Sequence, residues 1–274
     1  MTAIETLPEP AGPVLVIAPH MDDESLGCGL LLAGHPRKEC LHLLFVTDGS
    51  HSPEPSTGAD EAVRRALART RELEAREAMA VLGVPAANAV FLGFEDGTLA
   101  NRKPQLQAAL VEQIRRVDAR AVLVPFRYDR HPDHLAISHA VADAYRAGAV
   151  AASVIEYFVY SQWRLLPGGD VRAYLPAADL RLRRPTSETS TLRRRALECH
   201  RSQVSCFYDW QTRPILSREL VERVCAEPEV YLMHDARRPG RHALARSRTW
   251  VPVAHGLEPW LKRCKDRLAG WQGR

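Results

Sequence analysis

The 274-residue chain has six cysteines and no Cys-x-x-Cys pair among them. Cys28, Cys40, Cys199, Cys206, Cys225 and Cys264 are scattered, which points to reduced, buried thiols rather than a disulfide scaffold. No run approaches the roughly 18 apolar residues that cross a bilayer. The acidic, proline-rich start, Met1 to Pro10, lacks the basic segment and apolar core of a secretory signal, so a cytoplasmic location is expected. No Gly-x-Gly-x-x-Gly follows the first strand-like run, which argues against a dinucleotide oxidoreductase. There is no internal repeat, low-complexity block or linker. The net charge is only +4, and acidic residues are interspersed among the arginines, so no nucleic-acid partner is expected. Hydrophobic and charged contents of 46% and 26% are those of a globular protein long enough to bury a large core.

What is present centres on Val14-Leu-Val-Ile-Ala-Pro-His-Met-Asp-Asp-Glu24. A short apolar run reads as a buried, parallel strand. Pro19 cannot continue a central ladder, so His20, Asp22, Asp23 and Glu24 fall at the strand's C-terminal end, where open α/β sheets bind ligands. Two readings of the cluster stand side by side. Imidazole and carboxylates together suit a divalent metal of the zinc type. A polar loop capping the next helix, with Asp22 or Asp23 as N-cap, uses the same residues. A second cluster, His131-Pro-Asp-His134, follows the strand-like Ala121–Pro125. Parallel strands bring their C-terminal ends to one edge, so the two clusters together favour the metal.

Further strands are expected at 41–46, 89–92 and 153–160. The pattern predicts helices over 61–82 (stopping at Gly83), 103–118 and 135–146. Pro132 suits the first turn of the last of these. Residues 1–12 read as a flexible lead-in and 161–190 as an irregular insertion or hairpin. Helices are expected over 191–202, 218–225 and 259–271, with a strand at 229–233. The fold class is α/β: a Rossmann-like, mostly parallel sheet flanked by helices. The expected organisation is one domain over 1–274, with a core at 13–150 and a variable part at 151–274. Arg71 and Glu74 share a helix face and, on spacing alone, form a solvated ion pair.

These motifs resemble the PIG-L/LmbE-like family of zinc-dependent N-acetylglucosaminyl deacetylases. Pro19-His-Met-Asp-Asp-Glu24 matches the family's opening motif, with Met21 in place of the usual proline. His131-Pro-Asp-His134 is intact. Thr47-Asp48-Gly49, Arg71-x-x-Glu74 and Asp96-Gly97 follow in family order, and Ser202-Gln203 resembles a further landmark. The resemblance covers residues 13–145 well and the remainder poorly. It implies zinc, or another divalent ion such as Fe2+, held by His20, Asp23 and His134. It makes Asp22 the general base and His131 an electrophilic or acid partner, protonated to stabilise the oxyanion. Arg71 and Asp96 become substrate contacts. The implied partner is a small N-acetylated sugar or glycoconjugate, cleaved to acetate and a free amine. Alternatives are an amidase acting on a thiol conjugate and a non-catalytic Rossmann-like sugar-binding module. Glu24 is expected to support the ligands from behind or to be structural, Asp133 to cap or bond locally or else to orient a ligand histidine, and His139, His200 and His234 to be ordinary polar residues. Oligomeric state is left open.

Overall fold

A computed structural model describes residues 4–55, 58–159, 175 and 177–233. Its strands are β1 (Glu5–Thr6), β2 (Val14–Ala18), β3 (Leu41–Thr47), β4 (Ala89–Phe94), β5 (Ala121–Pro125), β6 (Ser153–Tyr157), β7 (Leu180–Arg183) and β8 (Glu229–Met233). They form one sheet in the order β1-β7-β8-β6-β5-β2-β3-β4. From β6 to β4 all neighbours are parallel, while β8 runs antiparallel to both β6 and β7. The α-helices are α1 (Asp23–Gly34), α2 (Glu61–Leu82), α3 (Lys103–Arg116), α4 (Pro132–Arg146), α5 (Ser187–Cys199), α6 (Arg201–Val204) and α7 (Arg218–Ala226).

The central strands read as continuous apolar runs because both faces are covered. Val14, Val16 and Ala18 point into a cluster with α1, α2 and α5, and Leu15 and Ile17 point into one with α3 and α4. All five side chains of β2 are buried. Each Val, Leu or Ile so removed from water contributes about 1.5–3 kcal/mol. From β2 the chain winds outward through β3 to β4, then returns to β5 on the other side of β2. The gap between the carboxyl ends of β2 and β5 is therefore the topological switch point, the place where such sheets bind ligands.

The helix α2 occupies the expected span. Asp60 caps its start by accepting from the Val63 N–H, and Gly83 ends it at φ 77°. Several expectations need correcting. Glu5–Thr6 is not a flexible lead-in, because it pairs with β7. The stretch 161–190 contains a regular strand, β7, paired to β8. α5 begins earlier than expected, at Ser187, where Thr186 and Thr189 form a capping box. It then breaks at His200 before α6. The expected helix over 259–271 lies outside the described residues, as does His234. Five cysteines lie within them, and all five are free. Among the described residues no helix is long and apolar enough to cross a membrane.

Candidate active site

The loop after β2 and the start of α4 after β5 deliver both motifs to the switch point. His20 Nδ1 lies 3.1 Å from Asp23 Oδ2, and His134 Nε2 lies 3.2 Å from the same oxygen. The ring centroids of His20 and His134 are 5.4 Å apart, and those of His20 and His131 are 4.5 Å apart. Two histidines from distant parts of the sequence thus meet across one carboxylate. His20 Nε2 faces outward from this pair, 3.1 Å from Asp96 Oδ1 and 3.4 Å from Asp133 Oδ2.

Asp22 occupies the N-cap position of α1 but makes no side-chain cap bond. The capping reading of this residue therefore fails, and its carboxylate is not committed to the helix. Its backbone sits at φ 147°, ψ −22°, outside the small left-handed well that non-glycine residues tolerate. Such strain persists only where the surroundings over-determine it. Burial raises the Asp22 carboxyl to about 6, against the opposing pull of Arg71. Arg71 Nη2 lies 3.5 Å from Asp22 Oδ2.

The neighbouring groups divide by charge. Burial alone would raise Asp23, but the charge of His134 and hydrogen bonds from both histidines hold it well below the carboxylate range. Burial opposes charge on His134, yet Asp23 and Asp129 raise it to about 9. His20 is likewise raised, with burial outweighed by Asp133, Asp23 and Asp96. Asp96 is lowered because its bond to His20 outweighs its burial. His131 goes the other way: burial, then the charges of His20 and His134, push it down to about 4. Its Nδ1 accepts the Asp133 N–H at 3.3 Å, which places the ring proton on Nε2. Its side chain is 30% exposed, against 0% for His134, so His131 stands at the mouth of the cluster.

The remaining predicted residues divide between the cluster and its frame. Asp96 joins the cluster, and its second oxygen accepts the His51 N–H at 3.2 Å. Arg71 is buried rather than solvated. It donates to the carbonyls of Met21 (2.8 Å), Gly49 (3.1 Å) and Ser52 (3.3 Å). Glu74 is also buried, and it accepts from the Ser202 N–H and hydroxyl. The expected surface pair is in fact two separate internal braces. Of the two expectations for Asp133, the geometry favours the one that sets it against a histidine, since its Oδ2 lies 3.4 Å from His20 Nε2. Its carboxylate accepts the N–H groups of Gly97 (2.7 Å) and Leu99 (3.1 Å), tying α4 to the loop after β4. Asp129 went unrecognised in the sequence. It is fully buried, with Oδ2 3.1 Å from His134 Nδ1. The usable signal was a carboxylate five residues before a histidine already suspected of ligation, since ligating imidazoles commonly donate their other N–H to one.

One ligand atom from each of His20, His131 and His134 falls within 4.8 Å of the others, as does one from each of His20, Asp96, His131 and Asp133. Asp23 belongs to neither grouping but touches two of the three histidines. A buried set of imidazole nitrogens and carboxylate oxygens fits a divalent metal. The same donor types serve several such ions.

Comparison with known proteins agrees with this geometry. The family model described as PIG-L: GlcNAc-PI de-N-acetylase matches residues 15–145. No curated protein matches the chain. Among solved structures, a conserved protein from Thermus thermophilus is 26% identical over 78% of this chain and 85% of its own, with a TM-score of 0.53. A deacetylase of the teicoplanin biosynthesis pathway is 16% identical over 81% and 99%, with a TM-score of 0.60. The N,N'-diacetylchitobiose deacetylase from Pyrococcus horikoshii is 20% identical over 85% and 87%, with a TM-score of 0.55. The fold also occurs in a 4-carboxy-2-hydroxymuconate hydratase, so the fold alone does not select a reaction. The family match on the site-bearing segment supports a deacetylase. Residues 15–145, which hold every member of the His/Asp cluster, are thus the stretch that matches the PIG-L family model, set in an α/β fold that this chain shares with solved deacetylases.

Proposed function

We propose that the protein is a divalent-metal-dependent hydrolase that removes the acetyl group from an N-acetylated amino sugar or glycoconjugate. The observation that carries this reading is the carboxylate of Asp22, free of the helix cap and buried on a strained backbone beside the His/Asp cluster. His20, Asp23 and His134 would hold the ion, zinc being the favoured choice for such ligands. When bound, a divalent ion supplies Lewis acidity and lowers the pKa of water toward neutrality.

The chain's own groups then divide the proton work. Asp22 accepts a proton from the attacking water. A C–O bond forms at the acetamide carbon, and the C–N bond breaks. His131, with its ring proton on Nε2, donates a hydrogen bond to the oxygen that gains charge. The nitrogen leaves as an amine after taking a proton, which Asp22 is placed to return. Asp96 offers acceptor oxygens to sugar hydroxyls at the edge of the cluster. Arg71, 3.5 Å from Asp22 Oδ2 and bonded to three backbone carbonyls, braces the base, and any contact it makes with substrate runs through Asp22. The partner is a small molecule.

The test is acetate release from a panel that includes N-acetylglucosamine and N,N'-diacetylchitobiose, with and without chelator. Release that stops on chelation and returns with added zinc supports the reading. Release that persists in chelator contradicts it.

A further inference from the structure

The strain at Asp22 has an identifiable source. The peptide unit between Met21 and Asp22 is gripped at both ends by buried side chains of opposite charge. Its carbonyl accepts Arg71 Nη2 at 2.8 Å. Its N–H donates to Glu24 Oε2 at 3.0 Å. Fixing the plane of that peptide fixes φ of Asp22, and with it the direction of the carboxylate. Asp22's own carbonyl is committed too, accepting from the N–H groups of Ser25 and Leu26 at the start of α1.

Glu24 is itself held. Its other oxygen accepts from the Ser25 hydroxyl at 2.6 Å and faces His200 Nε2 at 3.1 Å. Glu24 and His200 are both fully buried. His200 sits in the break between α5 and α6, at φ −78°, ψ 60°, where an unbroken helix would carry its ring elsewhere. The same short segment is pinned twice more. Ser202 bonds to Glu74, one turn along α2 from Arg71. Gln203 Nε2 donates to the Ser52 carbonyl at 2.8 Å, which also accepts from Arg71. Arg71 and the 200–203 segment thus brace one peptide from its two sides.

We propose that His200, acting through Glu24, is a positioning residue that holds the Met21–Asp22 peptide in its strained orientation and so aims the Asp22 carboxylate. The segment that performs this lies outside residues 15–145. It deepens the hydrolase reading, because the aim of Asp22 matters only if Asp22 is the base.

The test reads strain rather than turnover. Glycine at position 22 adopts the positive φ without the steric penalty that a Cβ carries there. Asp22→Gly is introduced into three forms of the full chain stripped of metal by chelator: wild type, His200→Gln and His200→Ala. Gln keeps an N–H donor for Glu24, and Ala does not. The expected result is a melting midpoint raised by about 2–4 °C in wild type and in His200→Gln, with no gain in His200→Ala. An equal gain in all three overturns the proposal. If His200→Ala does not fold, His200→Asn, too short to reach Glu24, takes its place in the same comparison. A kinetic readout on N,N'-diacetylchitobiose accompanies it. His200→Ala should lower kcat at least tenfold with KM and zinc stoichiometry unchanged, and His200→Gln should restore kcat. A raised KM at unchanged kcat contradicts the aiming role. Absence of turnover in wild type counts against the hydrolase reading and leaves the midpoint comparison decisive for His200.

Discussion

Asp129 Oδ2 lies 3.1 Å from His134 Nδ1, and both side chains are fully buried. The carboxylate fixes which ring nitrogen keeps the proton and turns Nε2 toward Asp23. Partners of this kind, one step removed from a metal, typically change affinity by about 10–100-fold when altered. Asp129→Asn should therefore weaken zinc binding within that range while the far-ultraviolet spectrum stays that of the parent. Competition against a zinc chelator measures it. Unchanged affinity would make Asp129 a packing residue only.

On the proposed mechanism, in which Asp22 is the base, Asp22→Asn keeps the shape of that side chain and removes its ability to take a proton. Zinc content should remain that of the parent, and kcat should fall by about 10²–10⁴-fold. Metal analysis beside steady-state kinetics separates the two effects. Full turnover would remove Asp22 from the chemistry.

Gly27 lies within α1, where alanine is ordinarily favoured over glycine by about 1 kcal/mol. Here a Cβ would strike the Tyr157 ring, and that ring is tethered by its hydroxyl, which donates to the Ile17 carbonyl at 2.8 Å. Overpacking of this kind costs about 1–3 kcal/mol. Gly27→Ala should thus reverse the usual sign and destabilise by up to about 2 kcal/mol. Denaturant titration gives the answer, and a stabilised variant would show that the ring can yield.

Burial disfavours charge on His200, but Glu24 outweighs it and lifts the imidazole above its ordinary 6.5. A histidine raised in the folded state contributes its full stability below the unfolded pKa. That contribution is lost as pH rises through the folded value. The stability advantage of wild type over His200→Gln should accordingly be largest near pH 6 and shrink as the solution is made alkaline. Denaturation midpoints across that range check it. An advantage that grows with pH would reverse the assigned sign.

The parts of the fold written in local pattern were legible in the sequence. Five apolar residues before Pro19 marked β2, and the periodic 61–82 stretch ending at Gly83 marked α2, both at the observed bounds. The meeting of His20 with His134 followed from parallel strands sharing one edge. What was not legible depends on contacts between distant segments. The pairing of Glu5–Thr6 with β7 has no local signal. Arg71 and Glu74 carry surface-like spacing, and only tertiary packing turns them inward toward Met21 and Ser202. The bonds from Asp133 to Gly97 and Leu99 carry no local signal, because those partners lie more than thirty residues away. His200 looked ordinary because its significance lies in Glu24, near the other end of the chain.

Calorimetric titration of the chelator-stripped full chain with zinc shows directly whether the two distant clusters grip one divalent ion, as proposed. About one tight site per chain is expected, lost in His20→Ala and in His134→Ala. No tight site in the parent, or a site that both variants retain, would contradict it.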